Sequence, residues 1–165
     1  MFESLVVTAA NYGEAVDRCN IALTAPPSNT LEKLNQAHEI ISSCPQVEIL
    51  TEHLIHGGMY ARTVRRGAGI VAVGSVILRA TILIVNGPCS MLVDGRRIDL
   101  TGYNVIPGLA GRKSFSLTHG DVEMTMIYPT SARTVEEAEN EIFAEADQLM
   151  SRKDGSNDQV TITGQ

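Results

Sequence analysis

Residues 70–85, IVAVGSVILRATILIV, limit the possible folds more than any other stretch of this chain. Twelve of the sixteen are apolar and most of those are β-branched, so the run has to be buried, and it suits pleated sheet better than helix. It stops at Asn86-Gly87, a dipeptide fit for a tight turn. The stretch reads as two buried strands meeting near Gly74-Ser75. Spanning a bilayer takes roughly 20 residues, and Arg79 lies inside this shorter run, so it predicts a core and not a membrane anchor. Beyond it, Asp94-Gly95, Gly102, Pro107-Gly108, Gly111 and His119-Gly120-Asp121 punctuate the chain at the spacing of short strands. That spacing predicts an all-β barrel or sandwich.

The flanks are more mixed. Residues 1–10 suit a strand or an arm, and residues 13–23 a short helix. Ala25-Pro26-Pro27-Ser28 breaks the chain, after which Asn29 can cap a helix over residues 30–43, with Glu32 three residues on and Leu31, Leu34, Ala37 or His38, and Ile41 at helical spacing. Residues 47–56 and 59–66 alternate on either side of Gly57-Gly58, which predicts a hairpin. Thr134 and Glu137 form a capping box, and the stripe Val135, Ala138, Ile142, Ala146 and Leu149 extends the following helix toward Arg152 and Lys153. Most of the acidic residues, Glu136, Glu139, Glu141, Glu145 and Asp147, avoid that stripe. The segment 160–163 is strand-like inside a polar tail, 154–165, that is flexible alone or held by a neighbour. The resulting division is an arm and helix over 1–46, a barrel over 47–130, a helix over 131–153 and the tail.

At 165 residues the chain suits one domain. A net charge of −6, with no basic run longer than Arg65-Arg66 or Arg96-Arg97, argues against general nucleic-acid binding. Cys19, Cys44 and Cys89 are an odd set without metal-type spacing, and residues 1–10 lack the pattern of a signal peptide, so a reducing cytoplasm is expected.

Several landmarks in order carry a family resemblance. These are Pro45-Gln46-Val47, Gly58-Met59-Tyr60-Ala61-Arg62, Gly87 after an apolar strand, Val93-Asp94-Gly95, Leu100-Thr101-Gly102-Tyr103, Ile106-Pro107 and Gly111. Over residues 44–153 the chain resembles the cupins, and in particular short cupin-like proteins of tailed bacteriophages. The resemblance implies a mainly β fold: a cupin-like β-barrel or jelly roll with an N-terminal helical region and a C-terminal amphipathic helix. It also implies a host-cytoplasmic setting, with incorporation in the virion as one outcome. Counted back from Gly87, the family's two histidine positions fall on Val76 and Leu78 and its carboxylate near Arg79 or Ala80; the third histidine position falls on Arg112 or Lys113. None of these residues supplies a metal donor. The expectation is a metal-free barrel with no cofactor and no enzymatic activity, its hollow filled by aliphatic side chains.

The remaining polar candidates have plain alternatives. His53 and His56 are three apart, which on a helix would serve a metal, but on a strand they face opposite sides and read as surface or core histidines. His38 reads as a helix-packing residue and His119 as a turn residue. Ser114 and Ser116 lie on a presumed strand, and nothing resembles a nucleophile elbow or phosphate loop. Arg112 and Lys113, which the resemblance places at the barrel mouth, are the candidate anion-binding residues, with Tyr60 and Arg62 beside them. The inward set carried over from the family is Val76, Leu78, Ala80, Ile82 and Ile84, yet Ile77, Leu83 and Val85 are apolar too. A strand apolar on both faces needs cover on both, and the resemblance implies a homo-oligomer. Three function classes follow: a non-enzymatic phage structural or interaction protein, a binder of a small anionic molecule, and a cupin enzyme with displaced ligands.

Overall fold

The computed structural model describes residues 2–3, 28–93, 96–153 and 157–164. Their strands form two sheets. The smaller has the order β1-β4-β9-β6-β7, built from β1 (Phe2–Glu3), β4 (Val71–Ile77), β9 (Arg112–Thr118), β6 (Cys89–Val93) and β7 (Arg96–Leu100). The larger has the order β11-β2-β3-β10-β5-β8, built from β11 (Asp158–Thr163), β2 (Leu50–His56), β3 (Met59–Arg66), β10 (Val122–Pro129), β5 (Thr81–Asn86) and β8 (Tyr103–Gly108). Strands β3 to β10 change sheets at every connection except the β6–β7 hairpin, giving β3-β10-β5-β8 facing β4-β9-β6-β7. This is the strand order of an eight-stranded jelly roll, so the mainly β expectation holds.

Local chemistry explains several joints. Gly57 and Gly58 both take positive φ, 54° and 77°, which closes the β2–β3 hairpin. Gly87, at φ 121°, carries the chain from β5 in one sheet to β6 in the other. The Asp94-Gly95 turn lies outside the described residues, but Val93 pairs with Arg96 across it as a hairpin requires. The long apolar run breaks at residues 78–80 instead of at Gly74-Ser75. Gly74-Ser75 is a β-bulge: Val73 pairs with Phe115 and Val76 with Lys113, so two residues stand against one, Ser114.

Helix α1 (Ser28–Ser42) covers the outer face of the smaller sheet, where Ile41 and Ala37 pack on Val71, Val73, Phe115 and Leu117. Helix α2 (Val135–Ile142) has the predicted capping box at Thr134 and Glu137. It stops well before Lys153, because Phe143 turns extended and bridges Ile77, and two 3-10 turns, Ala146–Gln148 and Met150–Arg152, follow. Tyr60, Tyr128, Ala138, Ile142 and Phe143 form the core beneath α2. The tail strand β11 is held by its own chain, pairing in parallel with β2. Residues 4–27, including Cys19 and the expected helix at 13–23, lie outside the described residues.

Candidate functional site

The bulge decides which side chains enter the barrel. Before it, Ala72 and Gly74 face inward; after it the parity flips, so Ser75 and Ile77 line the interior and Val76 faces out with Lys113. The inward set continues as Thr81, Leu83 and Val85, all buried or partly buried, whereas Leu78 and Ile82 are about half exposed, at 48% and 49%. The inward set expected from the resemblance is therefore inverted. The corrected inward positions, Ser75, Ile77 and Thr81, are likewise neither imidazoles nor carboxylates. Among the described residues, no group of three or more histidines, cysteines, aspartates and glutamates converges as a metal would require.

Apolar side chains, among them Val64, Ile77, Leu83 and Met91, fill only part of the hollow. A cavity of about 100 Å³ lies between the sheets, lined on its polar side by Arg62, Arg66 and Arg112 with Ser75, Ser114 and Ser116. That is several times the space one water needs. Three of the described lining residues are cationic and none is acidic. Strand β3 supplies two of the cations: Tyr60, Arg62, Val64 and Arg66 alternate inward. Arg65, beside Arg66 in sequence, points out and pairs with Glu52 and Glu123.

Each guanidinium is held differently. Arg62 is 7% exposed; its Nε lies 3.5 Å from Glu139 Oε1 and its guanidinium sits 5.5 Å from the centre of the Phe143 ring. Even so, Arg62 Nε and Nη2 have no hydrogen-bond acceptor among the described residues. Arg66 donates to Ser116 Oγ at 2.9 Å and to Met124 Sδ at 2.7 Å. Burial, and then the charge of Arg62, push the Arg66 pKa down to about 10, so it is still a cation at neutral pH. Arg112 spans the gap between the sheets, donating to Thr81 Oγ1, the carbonyls of Leu109 and Arg79, and Met126 Sδ. Burial lowers its pKa to about 10 as well. Arg112 is thus largely committed as a strut, while its charge adds to the positive potential of the cavity.

Phe143 and Leu149, from the segment after α2, close one wall. This segment is tied to the bulge through Glu145: its carboxylate accepts from the Ser75 hydroxyl and the Val76 amide, and its own amide donates to Ser75 Oγ. Burial pushes the Glu145 carboxyl up, but these bonds and the Lys113 charge outweigh it and leave the pKa lowered. Glu139 is 1% exposed, although its helix pattern reads as solvated; it joins Arg62 to Arg152 Nε at 2.9 Å and accepts from Ser151 Oγ at 2.7 Å.

The predicted site residues are therefore split. Arg62 and Arg112 share the cavity, but Lys113 faces outward and donates to Asn35 Oδ1 of α1 at 3.0 Å. Tyr60 shares a 2.7 Å hydrogen bond with His53 Nδ1 and packs edge-on to Tyr128, outside the set that lines the cavity. Burial, then Arg62, lowers the His53 pKa. His56 is exposed and bonds Thr163 of β11, separate from His53 as strand geometry demands. His38 is half-buried on α1, its pKa lowered by burial and by Lys113. His119 bonds Ser90 Oγ at 2.6 Å, away from the cavity. Arg66 and Ser75 line the cavity without having been candidates in the sequence, and Ser114 and Ser116 read there only as strand serines; the i, i+2, i+4 alternation from Arg62 is the signal for Arg66.

The strand order defines an eight-stranded jelly roll, here with arginines lining part of its interior. No family model and no curated protein matches the sequence. Among solved structures, the chain is similar to a cupin superfamily protein from Desulfitobacterium hafniense, at 16% identity, with 54% of this chain and 84% of that one covered and a TM-score of 0.43. It is also similar to a cupin-2 domain protein from Shewanella frigidimarina, at 10% identity, 58% and 90% coverage and a TM-score of 0.41. A cupin protein from Bacteroides fragilis matches at 17% identity, 56% and 84% coverage and a TM-score of 0.40. The fold assignment rests on the strand order itself.

Proposed function

We propose that the protein is a non-enzymatic binding module whose jelly-roll interior takes a small anion. The observation that carries this reading is Arg62, a buried guanidinium beside the cavity whose Nε and Nη2 have no hydrogen-bond acceptor among the described residues, Glu139 lying 3.5 Å from Nε, in a described lining that holds three cations and no acid. Buried donors without partners cost about 1–3 kcal/mol each, more when charged, and a carboxylate or phosphate oxygen would satisfy them with strong charge-assisted bonds. Titration calorimetry and thermal shift with carboxylates and phosphate test it. An anion at 100 times its Kd should stabilise the fold by about 2.7 kcal/mol, and Arg62→Met should abolish the effect. If no anion stabilises the protein and Arg62→Met is neutral or stabilising, the arginine is a structural relic and the reading fails.

A second reading, an interaction protein that pairs with copies of itself, is favoured by the outer face of the larger sheet. There Pro107, Ile82, Ile127, Ala61 and Leu54 lie side by side across five strands, with Val105 and Tyr103 exposed nearby at 57% and 62%. Among the described residues no helix covers this row, and a self-complementary apolar face suits a two-fold pair. A virion component, as the phage resemblance implies, is one form of that reading; it requires the protein at fixed stoichiometry in purified particles.

A further inference from the structure

Resting on the anion-binding reading, we propose that the ligand is a short-chain monocarboxylate, its carboxylate on Arg62 and its apolar tail on the wall beside that residue. The head group follows from the guanidinium. Nε and Nη2 lie on one edge of its plane, and neither has a hydrogen-bond acceptor among the described residues. Glu139 Oε1, 3.5 Å from Nε, accepts from Ser151 instead, and Glu139 Oε2 accepts from Arg152. The parallel N–H groups of one guanidinium edge match the two oxygens of a single carboxylate. Arg112, by contrast, already donates to Thr81 Oγ1, two carbonyls and a thioether. The site therefore asks for one acid group, placed at Arg62.

The tail follows from the row in which Arg62 stands. Arg62 pairs in register with Met126, and Met126 with Leu83, so the three side chains lie side by side on the inner face of the larger sheet, all lining the cavity. The centre of the Phe143 ring is 5.5 Å from the same guanidinium. A thioether, an isobutyl group and an aromatic ring give a hydrocarbon tail van der Waals contact and donate no hydrogen bond to a polar one. Size sets the limit. A cavity of about 150 Å³ holds benzene, six carbons. The roughly 100 Å³ here then holds about four to six non-hydrogen atoms, an alkanoate of about two to four carbons. Phosphate is no larger, but it directs oxygens toward Met126 and Leu83 as well, and an oxygen buried there without a donor is costly.

The test is a chain-length series titrated calorimetrically on the intact protein: formate, acetate, propionate, butyrate, pentanoate and hexanoate, beside inorganic phosphate and the neutral amide butyramide. Affinity should rise about fourfold for each methylene added to acetate, peak at propionate or butyrate, and fall at least about tenfold by hexanoate, which outgrows the cavity. Phosphate and butyramide should each bind at least about tenfold more weakly than the best acid. Leu83→Ala, which enlarges the space beside Arg62, should move the maximum toward longer acids. Because the wild-type series needs no variant, a misfolded mutant does not spoil the result. A flat series, one still rising at hexanoate, or phosphate as tight as the best acid overturns the tailed monocarboxylate while anion binding stands. A folded Leu83→Ala protein with an unmoved maximum takes the tail off this wall and overturns it too. If butyramide binds as tightly as butyrate, or nothing binds, both readings fall.

Discussion

At the scale of single residues, the energetics centre on ionisable groups held out of water. His53 is 2% exposed, and burial followed by the Arg62 charge lowers its pKa from the ordinary 6.5. The folded state therefore binds the His53 proton less readily than the unfolded chain does. The sign follows: stability is full above pH 6.5 and is lost as pH falls from there toward the depressed folded value. The melting temperature, measured between about pH 8 and pH 5, should drop on the acid side, and His53→Gln should flatten that drop; an unchanged slope in the variant would assign the loss to other groups. Glu139 is a buried carboxylate that offsets both Arg62 and Arg152. Glu139→Ala leaves those cations without their shared counter-charge and should cost about 3–5 kcal/mol in urea unfolding. A loss under about 1 kcal/mol would mean the triad is weakly coupled.

At the scale of elements, the crossings between sheets are the exacting positions. A Cβ on Gly87 would collide with the Asp121 carbonyl and with Val122, in addition to the strain of φ 121°. A Cβ on Gly102, at φ 63°, would meet nothing within 4 Å. Gly87→Ala should therefore destabilise by at least about 2–3 kcal/mol and Gly102→Ala by about 1 kcal/mol, since only the first adds a backbone clash to the dihedral cost. Equal losses in the two variants would overturn the role given to the Gly87 approach. Much of this level was legible in the sequence. The Gly57-Gly58 hairpin, the Thr134 cap and the helix before Pro45 follow from neighbours a few residues apart. The end of α2 was not legible, because its apolar stripe continues at helical spacing while Phe143 leaves the helix to bridge Ile77, far away in sequence.

At the scale of the whole molecule, the two outer faces differ in how they are covered. Helix α1 shields the smaller sheet, and the larger sheet presents the apolar row through Ile82 and Ile127 next to the Glu52–Arg65–Glu123 cluster. If that row joins copies, Ile82→Lys should yield monomers by light scattering while the melting temperature of the fold changes by only a few degrees. A wild-type monomer at tens of micromolar, or an oligomer indifferent to the substitution, would remove the row from any self-association. The charge distribution has a similar asymmetry: the chain carries −6 overall, yet its interior concentrates cations. A net count cannot reveal this, since it weighs Arg65 in solvent and Arg66 in the core alike.

The amino-acid order alone determined most of the strands, the glycine turns between them apart from the break at residues 78–80, the capped helix and the mainly β class, because periodicity and turn chemistry act over a few residues. Only the tertiary structure decided what the barrel contains. One extra residue at Gly74-Ser75, counted against β9, reverses the facing of every side chain that follows it in β4 and turns Ser75 and Ile77, not Val76 and Leu78, toward the cavity. Burial of a charge is likewise set by partners distant in sequence: Glu139 is interior because Arg62 and Arg152 are brought to it. Pairing across the sandwich fixes both, and pairing is a property of the folded chain.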